Sequence, residues 1–236
     1  MFDLAGYGPQ IFSGTLTTIE LSVFSLLVSF LIGLCGALAK LSKNRVLRGA
    51  GTVYTTIIRG VPDLVLMLLI FYSLQIWVND FTDWLNSLQD TYDIEVQLDP
   101  FTSGIITLGF IYGAYFTETF RGAFMAVPKG QLEAARAFGM KPALVFRRVL
   151  FPQMMRYALP GIGNNWQVIL KATALVSIIG LSDVVKAAQS AGEATFRTFF
   201  FISFAGGVYL LLTIISNGVL LLLQRKYAVG VRRAVL

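Results

Sequence analysis

Five stretches of the chain are almost unbroken apolar runs, at approximately 16–38, 54–78, 105–124, 159–181 and 199–223. Each is long enough to cross a hydrocarbon core of about 30 Å, which takes roughly 20 helical residues. Backbone groups in lipid must be satisfied within their own segment, and none of the runs alternates with period 2 as a barrel strand does. The pattern therefore predicts an all-α polytopic membrane protein with five transmembrane helices and a single domain over 1–236.

The runs are not uniformly greasy. The first carries Thr15, Thr18, Ser22, Ser25, Ser29 and Gly36 at steps of three, four or seven, a seam of small groups suited to close helix packing in lipid or to lining a pathway. The second opens on Arg59, Gly60 and Pro62, with Asp63 inside the apolar run. A carboxylate there needs a partner or water, and Arg59, four residues back, is the expected one. Glu118 and Lys171 lie in the third and fourth runs, and Asn164 and Asn165 near the start of the fourth. Asp63, Glu118, Asn164 and Lys171 are thus the candidates for a substrate path. Arg121 and Lys171 are the candidate partners of Glu118 if it is instead an ion-pair brace.

Charge changes the picture by giving it a direction. Cations gather between runs one and two (Lys40, Lys43, Arg45, Arg48, Arg59), between three and four (Arg121, Lys129, Arg136, Lys141, Arg147, Arg148, Arg156) and in the tail. Segment 79–100 has no Lys or Arg but six carboxylates: Asp80, Asp83, Asp90, Asp93, Glu95 and Asp99. By the positive-inside rule the N-terminus lies outside, the C-terminus inside, and 79–100 forms an acidic periplasmic loop. The pI of 9.5 is accounted for by this topology, with no nucleic-acid partner needed. A composition of 56% hydrophobic and 14% charged residues agrees with a membrane class. The lone cysteine, Cys35, sits in the first run, and there is no histidine. Metal sites, Ser-His-Asp chemistry and a histidine relay are therefore disfavoured. The first run is too long and polar-flecked, with no basic segment before it, for a cleaved signal peptide.

One stretch breaks the apolar pattern without being a simple linker. Within the cytoplasmic loop 127–156, residues 133–152 read "EAARAFGMKPALVFRRVLFP". Pro128 closes the preceding helix, 133–138 is strong helix former, Gly139 is a C-cap, and Pro142 starts a second short helix before Pro152 redirects the chain. A helix, glycine turn and helix of this kind suits a knob for a cleft on a soluble partner. Ala134 and Ala135 keep one surface thin, and Arg147 and Arg148 are placed to meet carboxylates at the rim.

Glu133-Ala134-Ala135, Gly139, Val149 and Phe151-Pro152, at their spacing, resemble the signature of binding-protein-dependent ABC importer permeases; Phe151 departs where leucine is usual. "RGVPDLVLMLLIFY", "AYFTETFRGAFMAVPKGQLEAA" and "LPGIGNNWQVILKATALVSIIGLSDVVKAA" extend the resemblance over nearly the whole chain. They are similar to polar amino acid importers, most closely the Q-type permeases of the histidine/lysine/arginine/ornithine class, with octopine and nopaline permeases alike. The resemblance implies a type I importer permease of basic amino acids, forming half of the pathway. It implies a heterodimer with a homologous M-type permease, two ATPase subunits that bind ATP and Mg, and a periplasmic solute-binding protein. It assigns Glu133, Ala134, Ala135, Gly139, Arg147 and Pro152 to coupling with the ATPase. The chain itself has no G-x-x-x-x-G-K-[ST] phosphate loop, so it is expected to be neither an enzyme nor a cofactor binder. The rival readings are an ion-coupled transporter using Asp63, Glu118 and Lys171, and an assembly protein without transport.

Overall fold

The computed structural model describes residues 4–88 and 96–227. Every regular element among them is helical: α1 (Gly8–Leu41), α2 (Arg45–Gly60), α3 (Asp63–Leu88), α4 (Pro100–Ala126), α5 (Lys129–Ala137), α6 (Pro142–Val145), α7 (Phe151–Val176), α8 (Val184–Thr195) and α9 (Thr198–Tyr227). A π-helical turn, Phe146–Leu150, joins α6 to α7, and one 3₁₀ turn, Ser177–Ile179, follows α7.

The starts and stops follow local chemistry. Asn44 accepts from the Val46 N–H at 2.9 Å and caps α2, while Asp99 accepts from Phe101 and Thr102 and caps α4, with Pro100 in the first turn. Asp183 caps α8 by accepting from the Lys186 N–H at 2.8 Å. Such side-chain acceptors satisfy N–H groups that a helix start leaves open.

α4 is the axis of the bundle. Thirteen of its 27 residues are buried, against two of 30 in α9, because α1, α2, α3 and α7 all pack on it. The main core joins Leu21 and Ala37 of α1, Met67 of α3, Tyr112, Phe116 and Phe120 of α4, and Ile169 and Val176 of α7. A second cluster joins Ile11 to α8 and to Phe201 and Ala205 of α9.

Three helices, α1, α3 and α9, are long and apolar enough to cross a membrane, and a fourth crossing is added if the pair Pro142–Ile179 and Val184–Thr195, bent by 54°, is one span. α4 reaches about 40 Å at 1.5 Å per residue. Its surface meets α1, α2, α3 and α7.

Several sequence expectations shift. The run 54–78 straddles a break: Val61 is extended and Pro62 cannot continue α2, so 54–60 belong to one helix and 63–78 to another. The acidic segment begins as helix, since α3 continues through Leu88; Asp90, Asp93 and Glu95 lie outside the described residues. The fourth run, read from 159, lies within a helix that begins earlier, since α7 starts at Phe151 and carries Pro160 in its interior. α8 was not anticipated, its 12 residues being alanine-rich rather than strongly apolar.

Candidate functional site

The inner part of the small-residue seam of α1, Ser29 to Gly36, packs against α4, and its outer end meets α8, where Thr18 accepts from the Val184 N–H at 3.2 Å. Thr18, Ser22, Ser25 and Ser29 are fully buried. A side chain at Gly33 would strike that of Phe116 and lie 3.0 Å from the Phe116 carbonyl carbon, so the backbones touch there. The expectation of packing holds for this seam.

At the foot of the seam sits a charge cluster. Glu118 takes one oxygen to the Lys40 ammonium and the other to Arg121, whose Nε and Nη2 donate at 2.9 and 2.7 Å. Lys40 also donates to Thr55 Oγ1 at 2.8 Å. The Lys40 ammonium of α1 thus ties α2, through Thr55, to α4, through Glu118. Arg121 is the partner anticipated from spacing; Lys171 is not, for it is exposed on α7 beside Val185, Ile202 and Tyr209. Lys40 was read only as a loop cation, although it continues the rhythm Ser25, Ser29, Gly33, Gly36 by one more step of four, which was the available signal.

Asp63 differs from expectation as well. It accepts from the Tyr112 hydroxyl at 2.8 Å, while the Arg59 guanidinium lies over the Tyr115 ring at 5.3 Å. The i,i+4 rule needs a continuous helix, and the break at Val61–Pro62 removes that neighbourhood.

The other two path candidates lie elsewhere. Asn164 is exposed in a groove of about 390 Å³ between α7 and α9, together with Gln167, Asn217 and Gln224. Gln167 donates to Asn217 across it. Asn165, buried, donates to Thr119 Oγ1 of α4 at 3.2 Å. Asp63 heads α3 and bonds Tyr112 of α4, Glu118 lies on α4 with Lys40 and Arg121, and Asn164 and Lys171 lie on the α9 side of α7; the four do not converge. Adjacent in the chain, Asn164 and Asn165 face opposite partners, α9 and α4. Among the described residues no His, Cys, Asp or Glu cluster can hold a metal.

The loop 127–156 places its residues unevenly. In α5, Glu133 and Ala134 are exposed, whereas Ala135 is buried at 7%, so only one of the two alanines offers a thin outer surface. Gly139 has φ +78°, and Met140 N–H donates back to the Ala135 carbonyl at 3.2 Å, a left-handed helix stop that favours glycine. Arg147 and Arg148 are exposed. Phe138, 88% exposed at the tip, was missed; an apolar ring inside "ARAFGMK" was the signal.

Pro152 is half-buried and does not redirect the chain: helix runs from Pro142 to Ile179. A proline ring crowds the carbonyl four residues back, here Arg148, and the wider π turn Phe146–Leu150 makes that room.

Comparison with known proteins adds three findings. Residues 13–229 match the family described as binding-protein-dependent transport system inner membrane component. The chain is 62% identical over 231 residues to the histidine/lysine/arginine/ornithine transport system permease protein HisQ of Salmonella typhimurium, covering 98% of this chain and 99% of that one. It is 36% identical to the octopine transport system permease protein OccQ of Rhizobium radiobacter, covering 99% and 97%. A crystal structure of an amino acid ABC transporter with histidines has the same fold, with a TM-score of 0.78 at 30% identity, covering 96% of this chain and 99% of that one.

Proposed function

The chain belongs to the family of binding-protein-dependent transport system inner membrane components, and on that premise we propose that it forms half of the pathway of an ATP-driven importer of basic amino acids. It is a multi-pass inner-membrane transporter component and not an enzyme. In this reading it has five spans, with the N-terminus outside. It pairs with a homologous permease, receives solute from a periplasmic binding protein, and rests on two ATPase subunits that hold ATP and Mg. The 62% identity to HisQ supports the histidine, lysine, arginine and ornithine class.

The observation that carries the reading is the exposed hairpin of α5 and α6. It leaves α4 through Val127–Pro128 and runs without a break into α7. A push on Phe138, Ala134 and the arginine pair therefore reaches both α4, with Glu118, and α7, with Asn164. Closure of the ATPase dimer displaces the hairpin, and stiff helices carry that displacement to the bundle.

The test is ATP-dependent uptake by the reconstituted complex, scored for arginine, lysine, histidine, ornithine and octopine. Gly139→Pro is expected to spoil the +78° turn and leave hydrolysis uncoupled from uptake, or the ATPase unbound. Normal uptake by a correctly inserted Gly139→Pro protein defeats the coupling assignment. A preference for octopine defeats the basic amino acid assignment while leaving the rest standing.

A further inference from the structure

Asp183 stands in the break between α7 and α8 and is fully buried. Elements on three sides enclose it. A side chain at Gly14 of α1 would come within 2.7 Å of its backbone carbonyl oxygen, the Val184 N–H of α8 donates to Thr18 of α1 at 3.2 Å, and the Tyr209 hydroxyl of α9 lies beside its carboxyl. One carboxyl oxygen, Oδ1, accepts from the Lys186 N–H at 2.8 Å. The other, Oδ2, makes no hydrogen bond among the described residues. A buried acceptor without a donor is costly, and an ionised one more so.

The neighbouring hydroxyls have no proton to give it. Thr18 donates to the Gly14 carbonyl at 2.9 Å and Thr173 to the Leu170 carbonyl at 2.8 Å. A hydroxyl carries a single proton, so the 3.2 Å contact between Thr173 and Tyr209 is made by the proton of Tyr209. An ionised Asp183 would thus meet only lone pairs. No ammonium stands in for the missing donor. Lys186 offers its backbone N–H, while its exposed side chain lines the surface groove with Gln10 and Ser182. Lys171 of α7 is exposed in the pocket that it shares with Tyr209 and Val185. From α1 the residues against this joint, Gly14 and Thr18, are uncharged, and Glu20 of the same helix is exposed.

We propose that this joint is a proton-binding site: the Asp183 carboxyl carries a proton on Oδ2 and donates it to the Tyr209 hydroxyl, which in turn donates to Thr173. Each oxygen then gives or receives as its chemistry allows, and one line of hydrogen bonds runs from the head of α8 through α9 to α7. Loss of the proton to water has a mechanical result. The Tyr209 proton turns from Thr173 to the carboxylate, and α7 and α9 lose a bond that joins them. Base at this end of the bundle therefore loosens the α7–α9 pair. That this end lies outside rests on the topology proposed above; the proton itself depends on neither topology nor transport.

The full-length chain in nanodiscs is compared with Asp183→Asn, which keeps the cap acceptor and carries on its amide the hydrogen that the acid would supply. At about pH 5, above the range in which exposed carboxyls hold a proton, infrared spectra are expected to show a protonated-carboxyl carbonyl band that deuterium oxide shifts and that Asp183→Asn lacks. Tyr209→Phe should move this band to higher frequency by removing its acceptor. A folded state that keeps a proton which the unfolded chain has released loses stability as pH rises. The parent's melting temperature should therefore fall by several degrees relative to Asp183→Asn between about pH 4 and about pH 8. Absence of the band from the parent, or its persistence in Asp183→Asn, overturns the proposal. So does a gap between the two melting temperatures that stays constant over this range. A parent stabilised by sodium over potassium, with Asp183→Asn indifferent, would place a metal cation at Oδ2 and overturn it as well.

Discussion

The α1–α4 and α7–α9 contacts are both made by long helices, yet they are built in opposite ways. Between α1 and α4 the backbones meet: Gly33 has no room for a methyl group beside Phe116, and Ser29, fully buried, reaches toward the Leu108 carbonyl. Between α7 and α9 a groove remains, lined by Asn164, Gln167, Asn217 and Gln224, and a methyl group at Gly163 would meet only the Leu220 side chain, 3.0 Å at nearest. Lipid supplies no hydrophobic drive between helices, so close packing itself decides how firmly a pair is held. The first pair is closed backbone on backbone, and the second is joined by side chains, Gln167 to Asn217 and Thr173 to Tyr209.

Placing the same methyl group in both contacts gives the largest expected contrast. Gly33→Ala must push Phe116 and its backbone aside, and overpacking of this kind costs about 1–3 kcal/mol. Gly163→Ala displaces the free end of a flexible side chain and gains helix propensity of about 1 kcal/mol. Thermal unfolding in detergent should therefore separate the two variants clearly, with Gly163→Ala near the parent protein. Equal melting temperatures would erase the distinction between the contacts.

A second test acts at the foot of the tight pair. Glu118→Gln leaves Lys40 and Arg121 without their counter-charge, and uptake of arginine and of a neutral analogue is expected to fall together, by about tenfold for a loss of roughly 1–2 kcal/mol. Lys40→Met should reproduce the defect and Lys171→Met should not. Selective loss of cationic substrates would move Glu118 from brace to path.

In the open groove the order of effects reverses. Gln167→Ala removes a bond between two exposed side chains, so the melting temperature should stay within about 0.5 kcal/mol of the parent protein, as for surface changes. Its uptake kinetics are nonetheless expected to change. An unchanged uptake profile over the amino acid panel would leave the groove without a role.

The smallest effect belongs to the head of α4. Hydrogen bonds from the Thr102 hydroxyl, then the Thr102 and Phe101 N–H groups, hold the Asp99 carboxyl below its ordinary value of 3.8. A lowered folded value means that the cap stabilises above the unfolded value and that this contribution is lost as pH falls through the folded one. Asp99→Ala should thus melt earlier than the parent at pH 7, and the gap should close below about pH 4. A gap that persists into acid would exclude the carboxylate as its source.

What the sequence disclosed follows from the range of the forces involved. The apolar runs and the seam Thr18, Ser22, Ser25, Ser29 are periodic, so helices and their tight face were readable from one chain position to the next. So was the turn at Gly139, since its φ is a local demand. The partners of buried charges were not. Lys40 and Glu118 are 78 residues apart, and Tyr112 and Asp63 are 49 apart. The break at Val61 was visible as Pro62, but reading through it merged two helices into the one run 54–78 and produced the false Arg59–Asp63 pair. α8 escaped because its alanines bury too little area per residue to form a conspicuous run.

The hydroxyl seam also bears on time. Ser29 ends near the Leu108 carbonyl, 79 residues later in the chain. At 5–20 residues per second, α1 waits roughly 4–16 s between its own synthesis and that of the partner it needs. Through that interval three of its four hydroxyls are spared bare lipid by donating inward, Thr18 to the Gly14 carbonyl, Ser22 to Ile19 and Ser29 to Ser25, while the Ser25 hydroxyl makes no hydrogen bond among the described residues. Each of the three borrows an acceptor from the helix that carries it, so the nascent segment is tolerable to hydrocarbon before its neighbour exists. Small hydroxyl residues let α1 be inserted early and docked late, which an amide or a carboxylate at the same positions would not.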